Sequence, residues 1–146
     1  MIIEKVPGQA ASEAERDVEA AIAAAALFKG RPVRYRPVLG GISNQNWLVG
    51  TEDDGREYFV KIPGKGTEMF IDHAAAFDAS RKAGEAGVGP RVYDDLYDQG
   101  VEINDFIPDR RACTHTDFGD PAIRLAAIDA YRKLHGVGAL GLTKTV

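Results

Sequence analysis

The stretch Leu39-Gly-Gly-Ile-Ser-Asn-Gln-Asn-Trp47, answered by Tyr58-Phe-Val-Lys-Ile-Pro-Gly64, decides how this chain folds. Upstream of it, Val33-Arg-Tyr-Arg-Pro-Val-Leu39 alternates apolar and polar residues, the period of a half-buried strand. Gly40-Gly41 interrupts that strand, and Trp47-Leu48-Val49 resumes an apolar run. Glu52-Asp-Asp-Gly55 is a hairpin turn, because Asp-Gly supplies the positive φ that a tight turn requires. Tyr58 to Ile62, rich in β-forming side chains, is the returning strand, and Pro63-Gly64 ends it. Residues 33–62 therefore predict a three-stranded antiparallel meander.

The flanks read as helices and short strands. Ser12 with Glu15 has the spacing of a capping box, and Ala, Glu and Arg dominate from there to Lys29. Gly30 and Pro32 mark its end, so a helix over 12–29 is expected, with Val18, Ile22, Ala25 and Phe28 or Lys29 along one face. Residues 72–86 predict a second helix, with Ile71, Ala75, Asp78 or Ala79, and Lys82 sharing a weakly apolar face. Arg91–Tyr93 and Val101–Ile107 read as short strands around the turn Asp98-Gln-Gly100. Pro108 to Arg111 begins a polar linker that runs to Asp120. Asp120-Pro121 is an N-cap followed by proline at the first helical position. A third helix is expected over 121–135, burying Leu125, Ile128, Tyr131 or Arg132, and Leu134 or His135. The fold class is thus α+β: about five antiparallel strands with one packed helix, a leading helix and a trailing one.

Length and charge narrow the classes. The 146 residues fit one domain large enough for a real core. With 18 Lys+Arg against 22 Asp+Glu the chain is net acidic, which excludes a generally basic nucleic-acid binder. Cys113 is the only cysteine, so no intrachain disulfide and no all-cysteine zinc site can form. His73, His115 and His135 show no metal-ligand spacing, and no metal site is expected. No run is long or apolar enough for a signal or a membrane span, and a reducing, cytoplasmic setting is the expectation.

Chemistry concentrates in the opening stretch. Glycines between two strands let backbone N–H groups approach an anion without a Cβ in the way. Ser43 and Asn44 add side-chain donors there. Lys61, on the next antiparallel strand, can reach back under the loop as a point charge for phosphate. Glycine loop, hydroxyl, amide and strand lysine together describe the phosphate-clamping half of a kinase-type nucleotide site. It is not a Walker loop, since Gly-Lys-Ser/Thr opening a helix is absent. The same residues also read as a plain hairpin turn and a solvated lysine, and spacing alone leaves both readings open.

On these motifs the chain resembles the amino-terminal lobe of the choline/ethanolamine kinase and aminoglycoside phosphotransferase superfamily, which has a protein-kinase-like fold. The resemblance runs from Val38 to His135. It is carried by 39–47, 58–64, Ile71-Asp-His73, Gly87-Val-Gly-Pro90, Val101 to Ile107, and Tyr131-Arg-Lys-Leu-His135. It implies a protein-kinase-like small lobe in which Gly40, Gly41, Ser43 and Asn44 cover a nucleotide and Lys61 pairs with its phosphates. It further implies a hinge at Ile103, Asn104 and Phe106 whose backbone meets the adenine edge, with Phe59 lining the adenine side. The implied cofactor is ATP with magnesium, and the implied reaction is phosphoryl transfer to a small hydroxyl substrate. No nucleic-acid or membrane partner is implied.

Two departures qualify that expectation. The helix Glu that pairs with the strand lysine in these kinases is replaced by Ala76, and His73 stands where Arg is usual. The family's catalytic Asp and its metal ligands belong to a carboxyl-terminal lobe beyond the linking helix, near which this sequence stops. No catalytic residue is therefore assigned, and the chain by itself is expected to hold nucleotide without catalysing transfer. The alternative is a non-catalytic, kinase-shaped module that docks to a partner. On either reading, self-association or docking through an uncovered lobe face is expected. His115-Thr-Asp-Phe-Gly119 contains the letters of two kinase motifs but overlaps them, and reads as a capping turn before the third helix.

Overall fold

The computed structural model describes residues 3–40, 44–66, 72–93 and 95–138. In chain order they form helix α1 (Glu13–Ala24), strands β1 (Val33–Pro37), β2 (Asn44–Thr51) and β3 (Glu57–Pro63), helix α2 (His73–Glu85), strands β4 (Val92–Tyr93) and β5 (Glu102–Asp105), and helix α3 (Pro121–His135). The strands make one antiparallel sheet in the order β1-β2-β3-β5-β4. The architecture is α+β, five strands with three helices, as the sequence predicts.

Period-two alternation divides the sheet into two faces. Tyr35, Trp47, Val49, Tyr58, Val60, Ile62 and Ile103 point to one face and are buried there against Val18, Ala21, Ile22, Ala25 and Phe28. Edge-to-face ring pairs lock this layer: Phe28 on Tyr58 at 5.4 Å and Tyr35 on Trp47 at 5.7 Å. The buried Tyr35 hydroxyl donates to Glu19 Oε1 at 2.6 Å, fixing the helix over the sheet. Burial, and then that carboxylate, hold the Tyr35 phenol well above its ordinary pKa.

The capping box at Ser12 and Glu15 is present in both directions. The helix it starts is shorter than expected. It ends at Ala25, whose ψ of 125° leaves the helical region, and a single 3-10 turn over Ala26–Phe28 follows. That break aims Ala25 and Phe28 into the core, so packing and not Gly30 terminates α1. Gly84, late in α2, is required by close approach: a Cβ there would lie 2.5 Å from the Pro90 carbonyl oxygen.

α3 departs further from expectation. Its cap is as read, with Asp120 accepting from Ala122 N and Pro121 in the first turn. The face that was expected to be buried is not: Leu125 is 67% exposed, Ile128 47% and Tyr131 63%. The helix instead turns Ile123, Ala127, Ala130 and Leu134 partly inward. The apolar spacing announced a helix correctly but did not say which of its two apolar stripes meets the rest of the chain.

The β2–β3 turn is an ion-paired knot. Thr51 Oγ1 donates to Asp54 Oδ1 at 2.6 Å, Arg56 N donates to the same oxygen at 3.1 Å, and Arg31 bridges Asp53 and Asp54 at 2.5 and 2.6 Å. The Thr51 hydroxyl, with Arg56 N and Arg31, lowers the Asp54 carboxyl to about 2.

Two outcomes follow. Ile22→Ala should cost about 2–5 kcal/mol in urea unfolding, since it empties a core position. The Asp54 pKa is depressed on folding, so its contribution is present above its ordinary value of 3.8 and lost as pH falls toward 2. Asp54→Asn should remove that part of the acid limb when unfolding midpoints are measured against pH.

Candidate functional site

The sheet face opposite α1 carries the polar residues. Because Val60 and Ile62 point into the core, Phe59 and Lys61 project the other way. Register then fixes their neighbours. Asn46, Lys61 and Glu102 form one row across β2, β3 and β5, and Leu48, Phe59 and Asn104 form the next. Leu48 and Ala75 are buried outside the α1 core, on the α2 side of the sheet.

Lys61 opens into a cavity of about 50 Å³. Asn44 and Pro63 line it from the sheet, His73, Ala76 and Phe77 from α2, Tyr97 and Gly100 from the loop before β5, and Glu102 from β5 itself. The Phe77 and Tyr97 rings meet at 4.6 Å beside it. α2 reaches this position because Asp72 caps it, accepting from Ala75 N at 3.0 Å, which sets the first turn against the end of β3.

The expected loop residues and the strand lysine fall into three groups. Asn44 and Lys61 are brought together in the cavity. Gly40 precedes β2 with φ of 112°, a conformation that favours glycine, and its carbonyl accepts from Asn46 Nδ2 at 2.7 Å. Gly41 and Ser43 lie outside the described residues, as does Ile71.

The hinge expectation meets a sheet already in use. Ile103 is fully buried with its side chain in the α1 core. Its backbone lies between Val60 of β3 and Tyr93 of β4. Asp105 N and Phe106 N donate to Arg91 and Glu57 carbonyls, at 2.9 and 3.0 Å. Asn104 points to the α2 side, where its Nδ2 donates to Glu102 Oε1 at 2.9 Å. The amides of Asp105 and Phe106 are thus both committed to carbonyls of neighbouring segments.

Ala76, the residue that stands where the resemblance implies a glutamate, lines the same cavity as Lys61. Asp78 cannot replace it: its carboxylate is held by Arg81 at 2.9 Å and Lys82 at 2.8 Å on the helix's own surface. Those two cations, Lys82 first, hold it below the usual carboxylate range. The residue the sequence reading missed is Glu102. Its signal was the alternation of β5, but only the β3–β5 register places it opposite Lys61.

The overlapping kinase letters resolve as a capping turn. Asp117 accepts both Arg111 guanidinium nitrogens at 2.6 and 2.8 Å, and Thr114 N and Oγ1 at 2.6 and 2.8 Å. These donors, Arg111 foremost, hold its carboxyl far below the ordinary range. Cys113 is exposed. Among the described residues no group of three His, Cys, Asp or Glu side chains is placed to hold a metal, and no helix is long and apolar enough to cross a membrane.

Comparisons of the chain with protein-family models, with curated proteins and with solved structures return no match.

Proposed function

We propose that this chain is the ATP-binding lobe of a small-molecule kinase of the choline kinase and aminoglycoside phosphotransferase type. The observation that carries the reading is the placement of Lys61. It stands on the third strand of the sheet, and its cavity is shared with the first turn of the helix that follows that strand. In kinases the phosphate-pairing lysine has this position, with its partner on the next helix.

The residues present fit the phosphate end of ATP. Lys61 offers a cation and Asn44 an amide beside it, at the exit of a glycine turn. The enclosed volume suits one phosphoryl group, whereas whole-ligand pockets span roughly 300–1,000 Å³. The base would extend over the open sheet face beside Phe59. When bound, ATP supplies the transferable phosphoryl group and magnesium screens its charge. Transfer to a hydroxyl acceptor then depends on a catalytic carboxylate that the resemblance assigns to a large lobe.

A second reading has one observation in its favour. Ala76 opposite Lys61 removes the helix carboxylate that orients the lysine in active kinases. That favours a kinase-shaped module that binds without catalysing, through nucleotide or through a docked partner.

Calorimetric titration with Mg·ATP separates these. A charge-assisted hydrogen bond contributes about 1.5–3 kcal/mol, so Lys61→Ala should weaken Mg·ATP about 10- to 100-fold. Lys65→Ala should not change it, because Lys65 pairs with Glu13 away from the cavity. Absence of binding at millimolar Mg·ATP overturns the nucleotide reading and leaves the docking module.

A further inference from the structure

We infer that Glu102 is the counter-ion that positions Lys61, taking over from β5 the task that a helix carboxylate at position 76 would perform. The inference deepens the nucleotide reading and rests on it only for what Lys61 then does with phosphate.

Three observations converge. First, Lys61 and Glu102 are directly opposed across the β3–β5 ladder and line the same cavity. Side chains opposed in this way start about 4.5–5.5 Å apart at Cβ, well within reach of a lysine and a glutamate. Second, among the described residues no other carboxylate lines that cavity. α2 presents His73, Ala76 and Phe77 to it, and the loop before β5 presents Tyr97 and Gly100.

Third, the neighbouring row holds an otherwise unexplained polar group. Asn104 is buried, its Nδ2 donates to Glu102 Oε1 at 2.9 Å, and its Oδ1 is buried without a partner among the described residues. A carboxylate only accepts, so Glu102 dictates that the amide turn its NH₂ toward it and leave its carbonyl orphaned. A buried orphan of that kind calls for a reason. Anchoring Glu102 by one oxygen, with the other left for Lys61, supplies it. Asn104, Glu102 and Lys61 then form a chain in which a buried amide orients a carboxylate and the carboxylate orients the cation. Within the described residues Lys61 forms no closed salt bridge, and Glu102 is the carboxylate the register sets opposite it.

The test is a double-mutant cycle on the whole chain with Lys61→Met, Glu102→Gln and the pair, read in two ways. Glutamine keeps an oxygen for the Asn104 amide, so Glu102→Gln removes charge without orphaning a second buried group. Without nucleotide, at low salt, the urea unfolding constants should couple by about 1.5- to 5-fold, and the coupling should shrink in 1 M salt. With Mg·ATP, Glu102→Gln should weaken binding several-fold in wild type and not at all in Lys61→Met. Ala76→Glu in the Glu102→Gln background should restore affinity, a rescue that a merely structural role for Glu102 would not give. Additive effects in the nucleotide-free cycle overturn the pairing, whether or not nucleotide binds. Coupling in that cycle, with no variant binding Mg·ATP, upholds the pairing and overturns the nucleotide reading instead.

Discussion

The pairing of β3 between β2 and β5 is the constraint on which the rest of this structure depends. Side chains alternate along a strand, so this one register sends Tyr58, Val60 and Ile62 under α1 and leaves Phe59 and Lys61 on the opposite face. A slip of one residue would drive the lysine into an aromatic core and expose Val60. The two faces therefore stabilise each other's assignment. The apolar layer around Phe28, Tyr58 and Tyr35 fixes the register, and the register places the polar row Asn46–Lys61–Glu102.

That row carries the lysine and the carboxylate that face the cavity between the sheet and α2. Most of the chain's other charges are neutralised locally: Asp78 by Arg81 and Lys82, Asp117 by Arg111, Asp53 and Asp54 by Arg31. Lys61 faces instead a small cavity whose helix wall carries Ala76, and whose one carboxylate among the described lining residues comes from the neighbouring strand. A buried asparagine with an orphaned carbonyl sits behind that carboxylate.

Local signals in the sequence were decisive where the physics is local. The capping box at Ser12 and Glu15, the Asp-Gly turn after Thr51 and the Asp120-Pro121 start each need only a few neighbouring residues, and each stands where its chemistry placed it. The meander and the lysine strand were legible for the same reason. What was not legible depends on partners distant in sequence. α1 stops at Ala25 because Phe28 must reach Tyr58, thirty residues on. α3 shows Leu125, Ile128 and Tyr131 to solvent because the second apolar stripe meets the chain. Glu102 emerged only with the β3–β5 register, which sequence spacing across a helix and two loops does not set. The hinge expectation came from resemblance, and the sheet commits the Asp105 and Phe106 amides to the Arg91 and Glu57 carbonyls.

Lys61 stands on the sheet face opposite α1, and we propose that it meets phosphate there. Lysine acetylation of the native chain, followed by mass spectrometry, with and without Mg·ATP, measures both halves at once. Lys61 should be labelled in the free chain and slow several-fold with nucleotide, while Lys65 and Lys133 keep their rates. Labelling of Lys61 that nucleotide leaves unchanged, or a Lys61 that resists labelling in the free native chain, would contradict it.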